Sequence, residues 1–110
     1  MKVNTFLEEK QARFLKCISE PTRLQIVKLL AGGEKCVNDI VDAIGRDQPL
    51  ISHHLKALKT CGIVVPDDRA QKTFYRLRDS RIAALVLSSE VLLKDVPLCQ
   101  DGSDCCSDNK

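Results

Sequence analysis

One stretch, "PLISHHLKALKTCG" at residues 49–62, leaves this chain few ways to fold. Pro49 suits the first turn of a helix, and Gly62 suits the residue just past its end. On a 100° wheel, Ile51, Leu55 and Leu58 fall on one side. Ser52, His53, Lys56, Lys59 and Thr60 fall on the other. The segment is predicted to be a helix with one face in a core and a cationic, hydrogen-bonding face in water. Its neighbours must therefore supply an apolar floor and leave the opposite side open.

The flanking segments supply that floor. "EEKQARFLKCISE" is rich in helix formers and predicts a first helix ending near Ser19. In "EPTRLQIVKLLAGG", Pro21 can start a helix and Gly32-Gly33 can stop it. Val37, Ile40, Val41 and Ile44 recur at i, i+3, i+4 and i+7, a single stripe closed by Gly45. The link "RDQ" then joins this short helix to the stretch at 49–62. Past Gly62 the period changes. "IVV" and "KTFYRLR" read as strands, and "PDDRAQ" between them reads as their turn. Last, "DSRIAALVLSSEVLLKD" reads as a helix capped by Asp79. Its apolar residues reach nearly all the way round, which predicts burial against a second copy of the chain. The fold class is mainly α with a β-hairpin wing, a winged helix-turn-helix dimerising through its first and last helices. Residues 1–96 form the domain, and residues 97–110 a flexible cysteine-containing tail.

Charge and length agree with this plan. A chain of 110 residues is one small domain. Residues 46–81 carry eight Lys/Arg against four acidic residues, a balance that suits a polyanion. In a helix-turn-helix the second helix enters the major groove. Here that helix offers Gln48, Ser52, His53, Lys56 and Lys59 to base edges or phosphates, and Arg69 and Lys72 flank the wing tip. No apolar run approaches the ~18 residues that a membrane span requires. The N-terminal segment lacks the apolar core of a signal peptide, so a cytoplasmic location with reduced thiols is expected. No Cys-x-x-Cys occurs and no base stands beside a nucleophile, which argues against a thiol enzyme.

"SEPTRLQIVKLLAGGEKCVNDIVDAIGRDQPLISHHLKALKTCGIV", followed by "KTFYRLRD", resembles the ArsR/SmtB family of winged-helix metal- and metalloid-responsive repressors. The resemblance covers roughly residues 12–95. It implies a homodimer that binds an inverted-repeat operator and releases it when an inducer binds. The family's sensor sites imply further tests. A zinc-type site on the last helix needs Asp-x-His; Asp79 is present, but Arg81 and Leu92 stand at ligand positions. A Cys-x-Cys site on the third helix keeps Cys36 and has Asn38 where its second sulfur belongs. A third arrangement uses the recognition helix, where Cys61 matches and Ala57 does not. Cys17, Cys36 and Cys61 are expected to be small packed thiols, and His54 to be packed and hydrogen-bonded.

Three of the six cysteines, Cys99, Cys105 and Cys106, remain in the tail "VPLCQDGSDCCSDNK". Thiolates select soft ions, and three sulfurs without a nearby His suit As(III) or Sb(III). Zinc would want a fourth ligand. Cd(II) or Pb(II) fits if Cys36 or Cys61 joins the set. The competing expectation is a thiol-redox or persulfide signal. The inducer metalloid is the only cofactor expected; no prosthetic group is implied.

Overall fold

A computed structural model describes residues 5–95. Five helices and a three-stranded sheet follow in the order α1 (Thr5–Ile18), α2 (Pro21–Leu30), β1 (Lys35–Cys36), α3 (Val37–Ile44), α4 (Gln48–Thr60), β2 (Val64–Arg69), β3 (Lys72–Leu77) and α5 (Ser80–Asp95). The winged helix-turn-helix expected from the pattern is the fold observed.

Each helix end has a local cause. Glu20 caps α2 by accepting from the Arg23 amide at 2.9 Å, and Pro21 follows in the first turn, where its missing N–H costs nothing. Gly45 stops α3 with φ of 79° while its amide donates to the Val41 carbonyl at 2.8 Å. The end of α4 is a Schellman motif: Ile63 N–H donates to Leu58 O at 2.9 Å, and Gly62 N–H to Lys59 O at 3.0 Å. Gly62 has φ of 81°, a conformation that disfavours a Cβ. This turn swings the chain from the recognition helix straight into the wing. Asp79 caps α5 as expected, accepting from the Arg81 amide at 2.9 Å.

The sheet order is β1-β3-β2, all antiparallel. Two features depart from the sequence reading. β1 is an unexpected third strand, pairing Lys35 with Tyr75 and Cys36 with Phe74. The hairpin also turns later than expected. Pro66, Asp67, Asp68 and Arg69 lie inside β2, and only Ala70 and Gln71 connect it to β3. Pro66 is tolerated because β2 is an edge strand. Ala70 alone of the two takes a positive φ, 54°, the place where a tight hairpin usually has glycine. Replacing Ala70 with Gly is therefore expected to stabilise the domain by roughly 0.5–1 kcal/mol. Urea denaturation at equilibrium checks this.

The core gathers one face from every helix. Ile26, Val27 and Leu30 of α2 meet Ile40 of α3, Ile51, Leu55 and Leu58 of α4, and Ile63 and Val64 at the root of the wing. Each large aliphatic side chain contributes roughly 1.5–3 kcal/mol by leaving water. Because α4's three inward residues are fully buried, its opposite face is held at a fixed angle to the body. Val86 is the buried anchor of α5. Around it, Leu85, Leu87, Val91, Leu92 and Leu93 remain exposed, as does Phe6 of α1.

Candidate nucleic-acid interface

Gln48, Ser52, His53, Lys56 and Lys59 are all exposed on α4, opposite its buried stripe. Lys56 and Lys59 take part in no ion pair among the described residues, so their charge faces solvent. Thr60 turns its hydroxyl inward to the Lys56 carbonyl at 3.0 Å. Its donor is thereby spent within the helix. Gln48 and Lys72 come together at one groove of about 300 Å³, with Gln71 and Thr73 of the wing, Cys36 of β1, and Val37 and Asn38 of α3. The N-terminus of α4 and the wing tip thus share a single surface. That juxtaposition follows from the sheet, which seats β3 against β1 at the start of α3.

Arg69 has partners within the chain. It does stand at the wing tip, but its guanidinium is held by Asp67 at 2.8 Å and by Glu34, and lies 4.5 Å over the Phe74 ring. Both carboxylates raise its pKa. Arg69 Nε and Nη2 are thus already engaged, whereas Lys72 has no ion-pair partner among the described residues.

Beneath α4 lies a polar cluster that the sequence reading caught only in part. His54 is buried, as expected. Arg23 Nε–H donates to His54 Nδ1 at 3.0 Å, which leaves the imidazole proton on Nε2, 3.8 Å from Glu20 Oε1. Arg23 also donates to the Cys17 carbonyl at 3.1 Å. The guanidinium therefore ties α1, α2 and α4 together. Burial holds the His54 pKa below its ordinary 6.5, against the pull of Glu20 and with help from Arg23, His53 and Arg46. The folded state thus binds fewer protons than the unfolded state just below that value. The contribution of His54 to stability is complete above about pH 6.5 and is lost as pH falls toward the depressed folded value. Denaturation midpoints should drop below pH 6.5 in the wild type and drop less in His54→Gln.

The cysteines correct the sequence reading most. Cys17 is buried, but it is not a thiol: it is disulfide-bonded to Cys61. Cys61 is exposed at the cap of α4 rather than buried. The last turn of α1 lies against the end of α4, with the two Cα atoms 6.7 Å apart, within disulfide reach. Cys36 is the free thiol among the described residues and is buried, as expected. No group of three or more His, Cys, Asp or Glu among the described residues is arranged to hold a metal. Asp79 at the zinc-type position is taken up by Arg81, through bonds of 3.0 and 2.7 Å that hold its pKa down to about 2. Cys99, Cys105 and Cys106 lie outside the described residues.

Residues 20–65, from the cap of α2 through α4 into the wing, match the arsR family of bacterial regulatory proteins. An uncharacterized HTH-type transcriptional regulator of Methanocaldococcus jannaschii is 43% identical over 79 residues, 71% of this chain and 89% of that protein. The chain belongs to the ArsR family. This ArsR-family protein is a DNA-binding transcriptional regulator rather than an enzyme. A probable mercury resistance operon repressor of Streptomyces lividans is 33% identical over 96 residues, 87% of this chain and 74% of the relative. Among solved structures, the homodimeric winged helix-turn-helix DNA-binding domain of a possible ArsR-family regulator from Mycobacterium bovis superposes with a TM-score of 0.75. It is 32% identical and is covered to 84%, across 83% of this chain. No helix among the described residues is long and apolar enough to cross a membrane.

Proposed function

We propose that this ArsR-family protein is a homodimeric repressor that holds operator DNA with α4 and leaves it when a thiophilic inducer binds, so that a resistance operon is expressed. The observation that carries the DNA reading is the two-faced α4: Gln48, Ser52, His53, Lys56 and Lys59 are exposed, and Ile51, Leu55 and Leu58 are buried. Lys72 and, once released from its carboxylates, Arg69 add phosphate contacts beside it. Two copies are required because a helix-turn-helix reads half-sites about one DNA turn apart. The apolar residues exposed on α1 and α5, Phe6, Leu85, Val91 and Leu92 among them, supply the surface for that pairing. Binding operator DNA in this way would put its work in the cytoplasm.

The inducer is read from sulfur chemistry. Cys99, Cys105 and Cys106 would supply three thiolates, a donor set that suits As(III) or Sb(III). Cd(II) or Pb(II) would draw on Cys36, or on Cys61 once its disulfide is open. The Streptomyces relative is named for mercury, itself a soft ion, which supports a thiophilic class without choosing its member. Ligation would engage the residues after α5 and move the helix that pairs the two copies, changing the spacing of the two α4 helices. A chain ending at Val96 should bind the duplex upstream of its own gene as tightly as the full chain. Arsenite should release the full chain and leave the truncated one bound. Release of both by arsenite would rule out the tail site.

A further inference from the structure

The Cys17–Cys61 disulfide sits at the floor of a groove with its own chemistry. The groove lies between α1 and the end of α4, holds about 480 Å³, and is lined by Lys10, Arg13, Phe14, Thr60 and Cys61. Neither Lys10 nor Arg13 is in an ion pair among the described residues. The two sulfurs are not equivalent. Cys61 is exposed at the groove, and Cys17 is buried behind it. On the buried side, Arg23 Nη1 lies 4.0 Å from Cys17 Sγ.

We propose that this groove is a thiol–disulfide exchange site for low-molecular-weight thiols bearing carboxylates, and that the adduct it forms at Cys61 weakens operator binding. The second half rests on the proposal that α4 reads DNA. Lys10 and Arg13 draw in the carboxylates, and Phe14 and Thr60 flank the approach to Cys61. The incoming thiolate attacks Cys61 Sγ, a new S–S bond forms there, and the Cys17–Cys61 bond breaks. Its electron pair leaves on Cys17 Sγ, where the Arg23 guanidinium stabilises the thiolate; a better-stabilised thiolate leaves faster. A second thiol then attacks the small-molecule sulfur of the adduct, releasing the symmetrical small disulfide and the Cys61 thiol. The net exchange converts two small thiols and the protein disulfide into one small disulfide and two protein thiols. It runs backwards when the small disulfide is in excess. The adduct places anionic charge at the cap of α4, two residues from Lys59, where phosphate would approach.

Full-length protein oxidised with glutathione disulfide, then exposed to glutathione or to cationic cysteamine and quenched in acid, tests this by peptide mass mapping. The starting protein should carry the Cys17–Cys61 link, and the glutathione adduct should map to Cys61. A Lys10→Gln, Arg13→Gln variant should react with glutathione about fivefold to tenfold more slowly, the loss of two favourable charges near the reacting sulfur. Its reaction with cysteamine should be unchanged or faster. In anisotropy titrations on the duplex upstream of the chain's own gene, the Cys61 adduct should bind about threefold to tenfold more weakly than reduced protein. Absence of the Cys17–Cys61 link, an adduct on Cys17, or equal slowing for both thiols would overturn the exchange site. Equal operator affinity for adduct and reduced protein would overturn its regulatory output. If reduced protein bound no DNA, the repressor reading would fail, while the mass mapping would still decide the exchange chemistry.

Discussion

A Leu85→Glu, Leu92→Glu variant will be monomeric in sedimentation and will bind its operator at least about a hundredfold more weakly than the wild type. Leu85 is 45% exposed and Leu92 51% exposed in a single chain, so glutamate at either position stays hydrated within the monomer. The anchor of α5, Val86, is untouched and remains buried at 3% exposure. The monomer should therefore fold, with the helical circular dichroism of the wild type. In a dimer the same positions lose their water, and up to four buried carboxylates without partners make that state untenable. The affinity loss follows because two half-sites held by one dimer act at an effective concentration far above that of free protomers. A variant that stayed dimeric would place the interface elsewhere.

Changing the recognition face should have an effect of similar size by a different route. Ser52→Ala with His53→Ala removes two polar groups that can reach base edges, at roughly 1–3 kcal/mol for each such contact. Operator affinity should fall at least about tenfold, and discrimination against unrelated duplexes should shrink with it. Lys56→Gln with Lys59→Gln should instead weaken binding to every duplex. Each phosphate contact removed should flatten the dependence of log affinity on log salt by about 0.9. All four side chains are exposed, so thermal stability should barely change. Titrations at several salt concentrations separate the two pairs: one alters specificity, the other the salt slope.

Much of this geometry was legible in the sequence because its determinants are local. Pro21, Gly45 and Gly62 mark helix boundaries through backbone restrictions that hold in any context. The wheel of residues 49–61 separated core from surface because a buried stripe must repeat at the helical period. β1 was missed since two residues are too few to show a period; it exists only because β3 offers an edge. The hairpin turn was misplaced because Pro66, Asp67 and Asp68 look like turn residues, yet an edge strand accepts them. The Cys17–Cys61 link joins residues 44 positions apart, a tertiary fact without local signature. The same is true of Arg23, whose contacts with His54 and Cys17 arise where three helices converge. The place of Arg69 near the wing tip is legible in the sequence; its pairing with Glu34 is not, because it depends on a residue 35 positions away.

The central claim is that α4 of a dimer holds operator DNA until a thiophilic ligand arrives. The most direct measurement is an anisotropy titration of reduced full-length protein on a labelled duplex from upstream of its own gene, followed by arsenite. The account predicts saturable binding at two protomers per duplex, reversed by arsenite and weakened by Ser52→Ala with His53→Ala. Binding that was indifferent both to arsenite and to the α4 substitutions would contradict it.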